Sequence, residues 1–502
     1  MLMKNKLFLW LIAVVCILAS CSKDDGIDPV TDSSDALLKG KPVHGPVVVL
    51  PPSGGDDTDA FMNAINTALP GTVIKLQAGN YSVGLMEIYD FHGSIVGAGR
   101  DKTVINTKTP LPLLSQWAKN QTPGWWRLIA GEIVITDLTF KMPDGFISDE
   151  LDPYNGPDLY AMFMINHYND TYYDPYGDPQ KVLFRNVGFI GGTNTDMSQD
   201  TYWVTDNNVW LGIWIGVDYT WPAEGLDYPL TRGSYVITNC YFENMLQAAE
   251  GFSLGDEACM EVSDSKIDNT WMGMYFTANY NSKIEITRNV FNNSILYDIN
   301  IEDNDWDWLF QTAIEPLQRC QYNITGNIFN YTSHENIYGY NNSVILKDNW
   351  VAIDPEARLP MLINLKSNQF NLSGTGTGVL ANNSQDLVIR NNRLTGTCYA
   401  GVVVDGIPIY DMSGTEYPAP FAKNALILGN NFNGLYPSEA NIILGEKTMD
   451  CTVVGSGKES VIDLGTNNKI VGMKKMHGGN HAGPTIRDNY RMMPRPGHHP
   501  HH

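Results

Sequence analysis

Two carboxyl groups on one face of a strand, one protonated and one ionised, are enough to cleave a glycosidic bond. The segment Tyr297-Asp-Ile-Asn-Ile-Glu302 has the pattern that would present them. Ile299 and Ile301 alternate with Asp298, Asn300 and Glu302, so if the isoleucines face a core, the three polar side chains share the opposite face. Asp298 and Glu302 are therefore the first catalytic candidates. Matching strands one turn of chain earlier sets Tyr275 beside Asn300, and a further turn back brings Glu250 and Asp256 around Ser253. Glu335 lies downstream as a further carboxyl partner. With rungs ~4.8 Å apart and same-face neighbours roughly 6.8 Å apart, pairs among these are expected in the range of glycoside hydrolases, ~5–5.5 Å for retention and ~6.5–9.5 Å for inversion. A solvated acidic edge would carry the same pattern.

A uronate lyase needs different groups: a base for the C5 proton, and a cation or Arg to neutralise the sugar carboxylate. Lys283, Arg288 and His334 are the basic residues near these coils. Asp303, Asp305 and Asp307 alternate like a calcium loop, so Ca²⁺ is a candidate cofactor, but Trp308 stands where that loop needs glycine and Ile314 where it needs Glu. No set of residues is assigned as a metal site.

Aromatic side chains supply the second half of a glycan site, because their faces stack on sugar rings. Between Pro143 and Arg232 the chain is dense in Tyr, Trp and Asp, including Tyr154, Tyr160, Tyr168, Tyr172, Tyr173, Tyr176, Trp203, Trp210, Trp214 and Trp221. Read as a long insertion on a rigid scaffold, this segment forms a glycan wall. Trp203 and Trp210, with Trp306 and Trp308 beside the acidic strand and Tyr275 and Asn300 on its rungs, are the expected substrate contacts.

The scaffold that must hold these residues is visible as a repeat. Ile286-Thr-Arg-Asn289-Val-Phe291, Ile324-Thr-Gly-Asn327-Ile-Phe329, Leu346-Lys-Asp-Asn349-Trp-Val351, Ile389-Arg-Asn-Asn392-Arg-Leu394 and Ile427-Leu-Gly-Asn430-Asn-Phe432 share one pattern, and looser copies begin at Ile135, Phe184, Ile237 and Val262. Short steps of 22 to 25 residues read as single coils; steps of 38 to 53 read as two coils or as one coil with an insertion. Each unit pairs this strand with another ahead of it, and units that cannot bury their apolar faces alone must stack. Asn289, Asn327, Asn349, Asn392 and Asn430 are read as structural: asparagine tolerates left-handed backbone at a coil corner and pairs with its neighbours along the stack.

The N-terminal part carries a family resemblance. Asp56-Asp-Thr-Asp-Ala-Phe-Met-Asn-Ala-Ile65 reads as an amphipathic helix with acidic residues at its start. Pro70-Gly-Thr-Val-Ile-Lys-Leu-Gln-Ala-Gly-Asn-Tyr81 follows, then Ile95-Val-Gly-Ala-Gly-Arg-Asp-Lys-Thr-Val-Ile105. This order resembles the opening of the pectin-lyase-like superfamily, a capping helix over the open end and then a first coil ending in a glycine turn. Gly97-Ala-Gly99 lacks the third glycine and following helix of a phosphate-binding loop. The resemblance covers about 400 residues and implies an all-β fold, a single-stranded right-handed parallel β-helix with an N-terminal capping helix. It also implies an oligosaccharide laid along one outward face. The polygalacturonase trio Asn-Thr-Asp, Gly-Asp-Asp and Gly-His-Gly is missing, with Gly255-Asp256-Glu257 only a partial echo, so no subfamily is named.

The ends divide the chain into four. Residues 1–20 read as a signal peptide, with Lys4 and Lys6 ahead of an apolar run from Leu7 to Ala19. Leu18-Ala-Ser-Cys21 resembles a lipobox, which makes Cys21 the acylated first residue of a lipoprotein; Ser22-Lys-Asp-Asp25 resembles an export signal to the outer face of the outer membrane. Residues 21–44 are a polar tether, 45–472 the β-helix domain, and 473–502 a histidine-bearing disordered tail. Without the leader the balance is 31 basic against 55 acidic residues, or −24, which argues against a nucleic-acid partner. The expected partners are a polysaccharide or oligosaccharide and, through lipid alone, a membrane; a monomer is expected. Together these readings give a surface-anchored lipoprotein acting on extracellular polysaccharide as hydrolase or lyase, with a non-catalytic glycan-binding or adhesion protein as the alternative. Cys240, Cys259, Cys320, Cys398 and Cys451 remain in the mature chain, read as buried fillers with at least one free thiol and with Cys240–Cys259 left open as a bridge.

Overall fold

The computed structural model describes residues 45–108, 124–142, 161–166, 179–192, 211–216, 232–252, 254–255, 258–277, 279, 281–303, 320–333, 341–348, 361–410, 416–455 and 458–476. Of the expected site residues, Asp256, Glu335, Trp203, Trp210, Trp306, Trp308 and Cys21 lie outside this set, as do Asn349, the leader, the tether and the tail beyond Met476; Lys474–Met476, expected in a disordered tail, is instead a strand paired with Ser460–Ile462.

Apolar residues at alternate positions, broken every few residues by a corner, leave each coil with three short strands. One coil runs Lys283–Thr287, Val290–Asn292 and Tyr297–Asp303; the next runs Gln321–Thr325, Ile328–Thr332 and Asn342–Asp348. Corresponding strands pair in parallel from coil to coil, so 32 strands join into one continuous ladder with three faces. The chain is a right-handed parallel β-helix. A two-strand unit was expected, with Gly273–Thr277 ahead of Lys283–Ile286; the addition is the short second-face strand Val290–Asn292, while the strand carrying Asp298, Asn300 and Glu302 pairs with Met272–Thr277.

Register assigns the repeat to its corner. Ile135, Phe184, Ile237, Val262, Ile286, Ile324, Leu365, Ile389 and Ile427 stack in sequence on the first face. Every long step among them is thus one coil with extra residues. Leu346 is not in this column: it pairs with Ile301 on the third face of the coil that already holds Ile324, and the next copy is Leu365-Lys-Ser-Asn368-Gln-Phe370. The apolar-then-apolar spacing of Leu346 to Val351 imitates the motif by chance. Residues 143–232 are likewise not one insertion, because Ala161–Asn166, Gln180–Ile190 and Leu211–Ile215 are strands of the solenoid.

The left-handed corner residue is the one before the stacked asparagine, not the asparagine itself. Arg288, Gly326, Ser367, Asn391 and Gly429 have φ between 56° and 69°. That sharp turn aims the next side chain inward. Asn289 Oδ1 accepts from the Ser265 amide at 2.9 Å, and the same bond recurs from Asn289 to Asn327, Asn327 to Asn368, Asn368 to Asn392 and Asn392 to Asn430 at 2.8–2.9 Å. Each Nδ2 also donates to a first-face carbonyl of the coil before, as Asn327 does to Ile286 at 2.8 Å. Beside this ladder Phe291, Phe329 and Phe370 stack with centroids 5.1 and 4.7 Å apart. Each such ring contributes roughly 1.5–3 kcal/mol by burial.

The helix Thr58–Asn66 buries Phe61, Ala64 and Ile65, with the Phe61 ring edge-on to Tyr81 and Trp126. A strand the sequence reading had missed, Val47–Leu50, precedes it and pairs with Thr72–Leu76. The glycine run is a turn: Gly99 sits at φ +136° and its carbonyl accepts from the Lys102 amide. Cys240, Cys259, Cys320, Cys398 and Cys451 are all free thiols, so the Cys240–Cys259 bridge left open above is not formed, and all but Cys259 are buried.

Candidate functional site

On the first two faces the outward side chains are half-exposed, as in Lys283–Thr287 and Gln321–Thr325, where every second residue is buried. The third face differs. Asn342–Asp348, Leu211–Ile215 and Thr377–Asn382 are buried on both sides of the strand. The sequence segments of most extra length, such as 304–319 and 349–360, join the ends of third-face strands.

The alternation in Tyr297–Asp303 behaves as expected on its inner side: Ile299 and Ile301 are core residues. Asp298, Asn300 and Glu302 therefore point out of the solenoid, but they are 0%, 1% and 6% exposed, which rules out a solvated acidic edge. Register runs Trp214, Glu250, Tyr275, Asn300, Ile345 along one outward row, and Thr277, Glu302, Lys347, Asn382, Asp405 along the next. Tyr275 beside Asn300 is as expected, and it is the half-exposed member of its row. Trp214, assigned above to an insertion, is a buried strand residue in register with Glu250.

Burial dominates the electrostatics. The Asp298 carboxyl is pushed up to about 7 by desolvation, with bonds from Ser343 and Ser294 pulling the other way. Ser343 Oγ donates to its Oδ2 at 2.7 Å, while its buried Oδ1 has no hydrogen-bond partner. Glu250 is likewise raised to about 7 by burial, held back by Gln247, whose Nε2 donates at 2.9 Å, and by Trp214. Glu302 is held differently: Lys347 Nζ lies 2.9 Å from Oε1, and Asn300 Nδ2 donates to Oε2 at 3.1 Å. That donation fixes the Asn300 amide with Oδ1 turned away, and Oδ1 is buried without a partner; so is Thr277 Oγ1.

Glu250, Asp298 and Glu302 are not immediate neighbours on the ladder. Asn300 stands between Asp298 and Glu302 on their strand, and the Tyr275 rung stands between Glu250 and the acidic strand. Backbone positions are ~12–13 Å apart, and Glu302 leans back along the strand to accept from Asn300. The basic residues proposed from sequence are elsewhere. Arg288 pairs with Asp264 at 2.7 Å at the first corner and Lys283 with Glu285 at 3.1 Å on the first face, while His334 lies outside the described residues. The cation at the site is Lys347, which sequence reading missed together with Ser343, Gln247 and Thr277. A signal existed in Ser343-Val-Ile-Leu-Lys347, whose Val344 and Leu346 are core residues, but it was hidden by the misassigned repeat copy.

No group of three His, Cys, Asp or Glu side chains able to hold a metal occurs among the described residues. The side chains of Asp303, Asp305 and Asp307 lie outside them.

No family model matches the sequence, and no curated protein matches it. Solved structures do. The A-module of the mannuronan C-5 epimerase AlgE6 of Azotobacter vinelandii is 14% identical, over 85% of this chain and 93% of that one, with a TM-score of 0.44. A mannuronic acid specific polysaccharide family 6 lyase from human gut microbiota is 15% identical over 85% and 82%, at 0.39. The pre-mature gene product 12 of bacteriophage phi29 is 13% identical over 84% and 54%, at 0.43.

Proposed function

We propose that the protein is a carbohydrate-active lipoprotein, anchored at the outer cell surface through acylated Cys21, that acts on an extracellular polysaccharide along its third face. The observation carrying this reading is Asp298: a buried carboxyl on the outward side of a solenoid strand, raised to about 7 and with one oxygen unpartnered. A carboxyl poised there keeps a substantial protonated fraction up to neutral pH and can deliver its proton to a leaving glycosidic oxygen. Hydrolysis then needs a second carboxylate, and elimination needs a base. Glu302, paired with Lys347 at 2.9 Å, is the next carboxyl on the same strand.

A second reading, glycan binding without chemistry, has its own support: both Glu302 oxygens are already engaged, by Asn300 and Lys347. Incubating the protein with a polysaccharide panel while following reducing ends and unsaturated-uronate absorbance separates the cases. Activity lost in Asp298→Asn supports the acid role. Silence on both readouts with measurable glycan retention sinks the enzyme reading. Lipid labelling that is unchanged in Cys21→Ala would remove the anchor.

A further inference from the structure

The third face leaves a specific set of polar atoms unanswered. Thr277 Oγ1, Asp298 Oδ1 and Asn300 Oδ1 belong to side chains at most 2% exposed, and none of the three atoms has a hydrogen-bond partner. They sit on adjacent rungs, because Thr277 is in register with Glu302 and Tyr275 with Asn300. Buried polar groups in folded proteins are nearly always satisfied, so these atoms describe the missing partner. An amide oxygen only accepts, and a threonine hydroxyl accepts or donates. Asn300 Oδ1 therefore calls for a donor, and Thr277 Oγ1 and the Asp298 carboxyl for a group that both donates and accepts, as a hydroxyl does.

The charges on the same face point the same way. From Met86–Tyr89 to Arg393–Asp405, the cations among the described outward residues are Arg127 and Lys347. Arg127 lies 3.6 Å from Glu87, and Lys347 lies 2.9 Å from Glu302. Each positive charge is thus matched by its own carboxylate, while Glu250 and Asp298 add acidic groups with no cation against them. A uronate carboxylate, acceptor-only and negative, would meet acceptors and carboxyls there. A sugar hydroxyl would donate to Asn300 Oδ1 and exchange bonds with Thr277 and Asp298. Tyr275, half-exposed on the rung between Glu250 and Asn300, offers a ring face for stacking.

We infer that Thr277, Asp298 and Asn300 form a subsite for an uncharged, hydroxyl-rich glycan, so that the polysaccharide is a neutral one and not a polyuronate. This rests on the polysaccharide reading and narrows its substrate class; it also selects hydrolysis over uronate elimination for any chemistry at this site.

The test is affinity electrophoresis of the full protein through gels containing mixed-linkage glucan, xylan or galactomannan, and in parallel through alginate or polygalacturonate. Retardation by a neutral polymer, weakened about tenfold in Thr277→Val at unchanged melting temperature and in Asn300→Ala while that variant is still folded at the assay temperature, supports the subsite. Retardation by polyuronates alone overturns the inference while leaving the polysaccharide reading intact. Retardation by no polymer overturns both. A neutral polymer that retards Asn300→Ala and Thr277→Val as strongly as the parent protein overturns the subsite only.

Discussion

Two polar stacks run along this solenoid and they are built to opposite ends. At the first corner, Asn289 to Asn430 hand a hydrogen bond from coil to coil, and every amide is used on both sides. On the third face, Thr277, Asp298 and Asn300 sit just as deeply and leave oxygens unanswered. Residue type does not separate the two, since asparagine serves in both. What separates them is whether the next coil supplies the complement. A stack that satisfies itself is architecture; one that does not is a demand for a ligand, and the third face carries that demand.

Breaking the buried Lys347–Glu302 ion pair of the third face should have the largest effect. Lys347→Met leaves the Glu302 carboxylate buried with only Asn300 against it, and a loss of about 3–5 kcal/mol in urea unfolding is expected. Adding Glu302→Gln should recover much of that loss, because the orphaned charge is removed. Cutting the corner ladder comes next. Asn327→Ala deprives the buried Asn289 amide of its acceptor and the Ile286 carbonyl of its donor, costing about 2–4 kcal/mol by the same measurement with glycan retention unchanged.

Asp298→Asn probes the third face through pH. The folded carboxyl is raised from 3.8 to about 7, so the proton is held more tightly in the folded state. The stability it contributes is complete below pH 3.8 and is lost as pH rises through about 7. Asparagine cannot ionise, so the variant should gain on the parent protein as pH rises from 4 toward 7 and level off above it, on the order of 4 kcal/mol by pH 8. A melting-temperature series from pH 4 to pH 8 checks the sign; parallel curves would deny Asp298 its burial shift. The smallest effect is Thr277→Val, expected within about 0.5 kcal/mol of the parent or slightly stabilising, because it deletes an unpartnered hydroxyl.

The sequence made the first corner legible because its signal is local. An apolar residue, an inward asparagine and another apolar residue recur within six positions, and the columns from Ile135 to Ile427 follow from it with one exception. That exception, Leu346, shows the limit: strand alternation on one face can mimic the corner motif of another. The outward set Asp298, Asn300 and Glu302 was legible from two isoleucines. Lys347 was not, since it meets Glu302 across 45 residues and only register makes that contact. Nor was the burial of the acidic strand, which depends on what lies over a face and not on the strand's own pattern. Arg288 shows the converse error. It is near in sequence to the site strand, yet the corner between turns it to Asp264.

Measuring neutral-glycan retention of Asn300→Ala alongside Asn392→Ala, each with its melting temperature, tests the contrast between the two stacks most directly. Asn300→Ala, which also gives up its bond to Glu302, is predicted to lose retention while still folded at the assay temperature, and Asn392→Ala to lose melting temperature while the folded protein still binds. If Asn300→Ala instead melts early and retains glycan like the parent protein, the third-face stack is architecture as well and the account is contradicted.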